Sequence, residues 1–182
     1  MDILRNKIVA LIVSFALVLV SIFVIGAAQI RANKAVVQSD FFVQENALSI
    51  QSQLDTIFSE AQNMLTVARR YASANHPQVE AIENTFAMID TIPHHSNAEL
   101  YQAVNQLINQ VEALHGNRSN FNMTERDLAY FYSIMVNIES SGRIINNNNF
   151  NQQAAEFNDT LRSFPANVIS AVRGISPIYL YQ

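Results

Sequence analysis

The sequence predicts an all-α protein: an N-terminal transmembrane helix continuing into an antiparallel four-helix-type bundle, with long first and last helices and a short C-terminal helix. Three observations carry this. From Ile8 to Ile30 the chain reads IVALIVSFALVLVSIFVIGAAQI, without a single charge. From Val43 to Tyr71 apolar residues recur in alternating steps of 4 and 3. Only 4 Gly and 4 Pro occur in 182 residues, too few for the turns that a β protein needs. The expected division is a short flank over 1–7, the transmembrane helix over 8–30 and the helical bundle over 36–182.

The apolar run comes first. At ~1.5 Å per residue it is roughly 34 Å long, against a hydrocarbon core of ~30 Å. A cleaved signal peptide is the rival reading. Arg5 and Lys7 would be its basic flank, and Gly26-Ala27-Ala28 its cleavage site. The run exceeds the usual apolar region of ~7–15 residues, so an uncleaved anchor is expected. Orientation stays open, because Arg5 and Lys7 before the run oppose Arg31 and Lys34 after it. A net charge of −4 and a pI near 5.5 argue against nucleic acid as a partner. The absence of cysteine removes disulfides, thiolate metal sites and a Cys nucleophile.

After the anchor, Val43, Ala47, Ile50, Leu54, Ile57, Ala61, Met64, Ala68 and Tyr71 form one a/d seam, with polar residues between them. No Pro or Gly interrupts the chain between Gly26 and Pro77, so anchor and seam helix are expected to form one long rod, bent near Asp40. Asn75-His76-Pro77 stops this helix, and Pro77 suits the first turn of the next. That second helix carries Val79, Ile82, Phe86 and Ile89 and ends at Pro93. Ser96-Asn97-Ala98-Glu99 reads as a capping box for a third helix with Leu100, Ala103, Leu107, Val111 and Leu114, terminated by Gly116.

Asn122 or Thr124 caps a fourth helix, with Glu125 and Asp127 favoured in its first turn. Its stripe is Leu128, Phe131, Met135, Ile138, Gly142 and Ile145, then Phe150, Ala154, Phe157, Leu161 and Phe164, and it is expected to reach Ser163. The step from Ile145 to Phe150 is five, so the stripe slips there, at Asn146 to Asn149. The run is either a solvated, unwound turn or a polar layer whose amides fix the register of the bundle.

The C-terminal third holds the most specific text. Phe150-Asn151 is followed seven residues later by Phe157-Asn158, then by LRSFPANVISAVRGISPIYLYQ. This resembles the C-terminal signature of the LemA family: paired aromatic-Asn dipeptides, a Ser-Phe-Pro-x-Asn turn at Ser163, Phe164, Pro165 and Asn167, a short apolar helix from Val168 to Arg173, then Gly174 and Pro177. Upstream echoes are Gln53-Leu54, Asn63-Met64-Leu65, Tyr71-Ala72 and the stretch from Val111 to Asn120. The resemblance covers roughly Val43 to Gln182. The chain is a divergent member on this reading. The basic-pair-Asp-Leu-Ile-Pro stretch expected before Asn63 is missing, and the Asn run replaces a charged one.

The resemblance implies a single-pass protein of the bacterial cytoplasmic membrane with no established enzymatic activity, no cofactor and no catalytic residues. Relatives are linked to envelope organisation, and some to membrane proteases. The expected partners are therefore the lipid bilayer and another membrane or envelope protein, a membrane protease among the candidates, with a homo-oligomer also open.

The residues point the same way. Glu112-x-x-His115 is one half of a di-iron pattern that has no second copy. His94-His95 reads as a solvated loop, and no phosphate loop or Ser/His/Asp context occurs. Asn117-Arg118-Ser119 and Asn122-Met123-Thr124 match glycosylation sequons, which carry no meaning in a bacterial source.

If the helices alternate up and down, the last one returns toward the anchor. The segment Pro165–Gln182, too apolar for a loose tail, is then expected either to cap the bundle base or to touch the bilayer interface through Val172, Ile175, Tyr179 and Tyr181. Two function classes follow: a non-catalytic membrane-tethered scaffold or adaptor, or a ligand-sensing or signalling module held at the membrane. No second apolar run or output domain follows Ile30, which favours the scaffold.

Overall fold

The computed structural model describes residues 2–42, 49–72, 76–93 and 96–182, with side chains from Asn6 onward. Among these no strand occurs. The elements are α1 (Asp2–Phe42), α2 (Ile50–Ala68), α3 (Pro77–Ile89), α4 (Asn97–Gly116), a 3-10 turn (Arg118–Asn120), α5 (Glu125–Asn146), α6 (Phe150–Arg162) and α7 (Ala166–Arg173). Val43, Ala47, Asn75, His94, His95 and the side chain of Arg5 lie outside the described residues.

α1 is helical over 41 residues, and its stretch Asn6–Phe42 is long and apolar enough to cross a membrane. Side chains from Asn6 to Ile22 are exposed, as expected of a helix whose solvent is hydrocarbon. The expected rod through α1 into the seam helix is not found. α2 starts afresh, with Ser49 in extended backbone (φ −67°, ψ 151°) and its hydroxyl accepting the Ser52 N–H at 3.1 Å. That bond satisfies one of the four orphan donors of a new helix start, which a continuous rod would not have.

The chain divides into two compact units: Met1–Gln38 with Gln153–Ile178, and Ser39–Gln152 with Tyr179–Gln182. The first unit thus joins the apolar helix to a segment from the C-terminal third of the chain.

In the larger unit α2 packs along α5 and α3 along α4, while α4 also meets α5 and α2. The seam supplies its centre: Leu54, Ile57, Ala61, Met64 and Ala68 are fully buried. Ile82, Leu107, Val111, Leu114, Phe131 and Ile138 face them from the other helices, also buried. Burying such a side chain contributes ~1.5–3 kcal/mol, so these stripes hold the unit together. A buried polar contact between helices lies at Thr85. Its hydroxyl donates to Gln110 Oε1 at 2.9 Å and accepts from Gln106 Nε2 at 3.2 Å.

Local signals fare unevenly. Pro77 opens α3, and Thr124 caps α5 by accepting the Asp127 N–H at 3.2 Å, with Glu125 and Asp127 in the first turn. The capping box at Ser96 does not form. The Ser96 hydroxyl makes no cap bond, and its N–H donates to the Pro93 carbonyl at 2.9 Å, leaving Glu99 no orphan donor to reach. α4 ends at Gly116, capped by Asn117 in a non-left-handed conformation.

The predicted fourth helix is two helices. α5 stops at Asn146, and α6 begins at Phe150 with Asn148 Oδ1 accepting its N–H at 2.8 Å. Asn146, Asn147 and Asn149 are exposed, so the five-residue slip is a solvated break and not a polar layer between helices. Asn148→Ala should therefore cost about 1 kcal/mol of stability, as loss of a helix cap does, while Ala at the three exposed positions costs less. Urea denaturation of the full chain in detergent measures this. Equal effects at all four positions would remove Asn148 from its capping role.

Candidate functional site: the tail and the base of the apolar helix

In the smaller unit the segment after α6 lies against α1. Ile169 of α7 packs on Gly26: a Cβ on that glycine would stand 2.7 Å from the end of the Ile169 side chain. The contact lies within the apolar run, where Gly is the residue that lets another helix approach closely. Ala27 and Ile30 of α1 are buried beside it, and so are Ala154, Phe157 and Leu161 of α6.

Two cations one turn apart hold the end of α7 and the chain just beyond it. Arg31 Nη2 donates to the Arg173 carbonyl at 3.4 Å, and Lys34 Nζ donates to the Ser176 carbonyl at 2.8 Å and to its hydroxyl at 2.9 Å. The Arg173 carbonyl belongs to a helix C-terminus, which favours a cation. Gly174 follows in the left-handed conformation (φ 61°, ψ 35°), where a Cβ would be strained, and it turns the chain out of α7.

The two Phe-Asn dipeptides are a repeated device. Asn158 Nδ2 donates to the Ile178 carbonyl and its Oδ1 accepts the Ile178 N–H, both at 2.8 Å. Asn151 treats Tyr181 in the same way, with the N–H bond at 2.7 Å. Each side-chain amide thus stands in for one strand neighbour and satisfies a donor and an acceptor of an otherwise unpaired extended segment. Seven residues of helix rise ~10.5 Å and three extended residues ~10 Å, which is why dipeptides seven apart serve tail residues three apart. The paired Phe residues turn inward. Phe157 is buried, and Phe150 is buried with its ring 5.1 Å from that of Phe41. Tyr181 completes this cluster at 5.9 Å from Phe41 and 5.2 Å from Tyr101, and Asn97 Nδ2 donates to the Tyr179 carbonyl at 2.8 Å.

The remaining signature residues shape the turn. The Ser163 carbonyl accepts the Asn167 N–H at 2.9 Å, the Pro165 carbonyl accepts that of Ile169 at 3.1 Å, and Pro177 is exposed in the extended tail. Phe164 is 83% exposed. Of the residues expected at a membrane interface, Val172 and Tyr179 are exposed and Ile175 is half-buried. Tyr181 is not available to lipid. It is 2% exposed, because Asn151 fixes its backbone and two rings enclose its side chain.

No protein-family model, no curated protein and no solved structure matches this chain. What the site can do therefore rests on its own geometry.

Among the described residues no three potential ligands of the His/Cys/Asp/Glu type come together. Glu112 is exposed, while His115 stacks on Phe131 at 6.1 Å with a buried, unpartnered Nε2. Burial first, and the Arg118 guanidinium second, push His115 below its ordinary pKa, so it is held as a neutral aromatic.

Tyr181 is pushed well above the ordinary phenol value of 10.0, by burial and then by Tyr101. The folded state therefore keeps a proton that the unfolded chain loses, and the stability this contributes is complete below pH ~10 and falls as pH rises beyond it. Tyr181→Phe should flatten the alkaline loss. Denaturation midpoints of both chains between about pH 8 and pH 11 measure it, and an unchanged slope would exclude Tyr181 as its source.

Arg31, Lys34, Gly26 and Asn97 are contacts that sequence reasoning missed. The cations are visible in the sequence as a pair one turn apart just after an apolar run. Their spacing fits topology signalling equally well, and nothing in the sequence names their carbonyl partners.

Proposed function

We propose that this chain is a single-pass, membrane-anchored scaffold or adaptor of the bacterial cytoplasmic membrane, without catalytic activity, related to the LemA family. Its larger unit is read as an antiparallel four-helix bundle that presents a partner surface. Its partners are the bilayer and another membrane or envelope protein, with a membrane protease a candidate.

One observation supports this above the others: the base of the apolar helix is packed against the segment that follows α6. Ile169 lies on Gly26, and Arg31 and Lys34 hold the chain after α7. A flexible tether needs none of these contacts, whereas a scaffold that must be oriented at a bilayer does. α1 also stays helical through Gly26-Ala27-Ala28, and Ala27 is buried, which suits an anchor that is kept better than one that is cleaved.

The test is photo-crosslinking from exposed positions of the larger unit, such as Tyr130 and Val136, in native membranes, followed by identification of the products. A discrete membrane or envelope protein captured from the full chain is the expected result. Recovery of the chain in the soluble fraction, or a thermal shift with a small molecule in place of a protein adduct, would contradict the scaffold reading.

A further inference from the structure

We infer that the turn between α6 and α7 is a re-entrant tip that inserts into the membrane that α1 spans, in the leaflet on the Ile30 side, with Phe164 deepest and the exposed apolar face of α7 rising behind it through the acyl–headgroup boundary. The inference rests on α1 being a membrane span. It adds a second, separately testable lipid contact.

Register along α1 places the tip. Residues of α6 from Gln153 to Thr160 line a groove with Ile30, Asn33, Val36 and Val37 of α1, at and above the top of the apolar run. Pro165, in the turn, lines a groove with Leu17, Ser21 and Ile25, inside the run. The chain then climbs again: Ile169 meets Gly26, Arg173 meets Arg31 and Ser176 meets Lys34. So the chain descends along α6, turns, and ascends along α7 parallel to α1. Gly26 lies ~6 Å below Ile30 along the helix axis and Ile22 ~12 Å below, so the turn sits beneath the last apolar residue of the span. A run of roughly 34 Å in a ~30 Å core leaves little of that depth outside hydrocarbon.

Chemistry at the tip agrees with the register. Phe164, Val168 and Val172 are spaced at four residues on one face and are 83%, 41% and 68% exposed. The adjoining face, through Ile169, is the one buried against α1. An isolated helix turn with a bare Phe and two bare Val would be poorly placed in water. At the same depth as exposed Ile22 and Ile25 it meets the solvent those residues already have. Charges bracket the tip from above. Arg173, Arg31 and Lys34 gather where α7 ends, as cations do at headgroups, and Arg162 is paired with Asp159 at 3.1 Å on the way down.

The chain has no cysteine, so single labels can be placed cleanly. The experiment reconstitutes the full chain in phosphatidylcholine–phosphatidylglycerol vesicles with a nitroxide at one position and compares collision with oxygen and with a water-soluble nickel chelate. Positions are Phe164→Cys, Val168→Cys and Val172→Cys, with Leu17→Cys as the span control and Asn149→Cys as the aqueous control. The expected result is an oxygen-over-nickel ratio at Phe164→Cys several-fold above that at Asn149→Cys, falling through Val168→Cys to Val172→Cys. If Leu17→Cys reads deep while Phe164→Cys matches Asn149→Cys, the tip is in water and this inference alone is overturned. If Leu17→Cys itself reads aqueous, the membrane-anchor reading falls and the inference with it.

Discussion

Phe131→Ala is expected to destabilise the larger unit by ~3–5 kcal/mol, the range for emptying a buried Phe site. Phe131 is fully buried on α5 among residues of α2 and α4. Its ring also stacks on His115, which has no hydrogen-bond partner at Nε2. Truncation should therefore do two things. It opens a cavity, and it admits water to a histidine that burial holds neutral. In the parent chain the neutral-favoured His115 contributes stability that is complete above pH ~6.5 and is lost as pH falls below that value. In Phe131→Ala this acid-side loss should shrink, because the hydrated imidazole titrates more nearly alike in both states. Chemical denaturation at several pH values measures both effects. A loss below about 1 kcal/mol would mean that the core is not centred where Phe131 sits.

The second large effect belongs to the paired amides. Asn151→Ala and Asn158→Ala each strip two hydrogen bonds from the tail backbone, leaving an N–H and a C=O unpaired beside side chains that are nearly buried. An unsatisfied buried group costs ~1–3 kcal/mol, so each substitution should cost at least that much, and the double variant should free the tail. Hydrogen exchange at the Ile178 and Tyr181 amides is the direct readout, with protection falling at Ile178 for Asn158→Ala and at Tyr181 for Asn151→Ala. Asn→Asp at either site keeps the acceptor and removes the donor, so it should preserve N–H protection better than Ala does. Unchanged exchange in the alanine variants would show that the amides do not hold the tail.

These two cases mark how far the sequence could be read. Leu54, Ile57, Ala61, Met64 and Ala68 announce themselves because a 3-4 period on a helix has one physical outcome, a buried face. The pairs of Phe and Asn seven apart are also visible, and the Phe half reads correctly as core. The Asn half does not disclose its role, because nothing in the sequence says that an extended segment twenty to thirty residues later will need backbone partners.

Breaks were harder. Continuous periodicity without Pro or Gly suggests one rod through α1 and α2, yet Ser49 caps a new helix. The same signal suggests one helix from Thr124 to Ser163, yet Asn148 starts α6. Ser, Thr, Asn and Asp side chains compete for nearby backbone groups, and whether they win depends on what the flanking helices can bury elsewhere. The capping box at Ser96 fails for the converse reason, since Pro93 supplies a nearer acceptor. The packing of Ile169 on Gly26 depends on chain reversal across more than a hundred residues and has no local trace.

That reversal is the centre of the account: the C-terminal segment is bound to the base of the one described helix that is long and apolar enough to cross a membrane. The most direct measurement is a disulfide between Gly26→Cys and Ile169→Cys in the full chain, oxidised with copper phenanthroline in membranes. Ile169 Cγ1 stands 4.0 Å from where a Cβ on Gly26 would be, so the two introduced side chains face each other across the contact, and the parent chain offers no competing thiol. The account predicts an intramolecular crosslink, seen as a reducible mobility shift of the monomer that neither single variant shows. Free thiols in the double variant, or crosslinking only between chains, would contradict it.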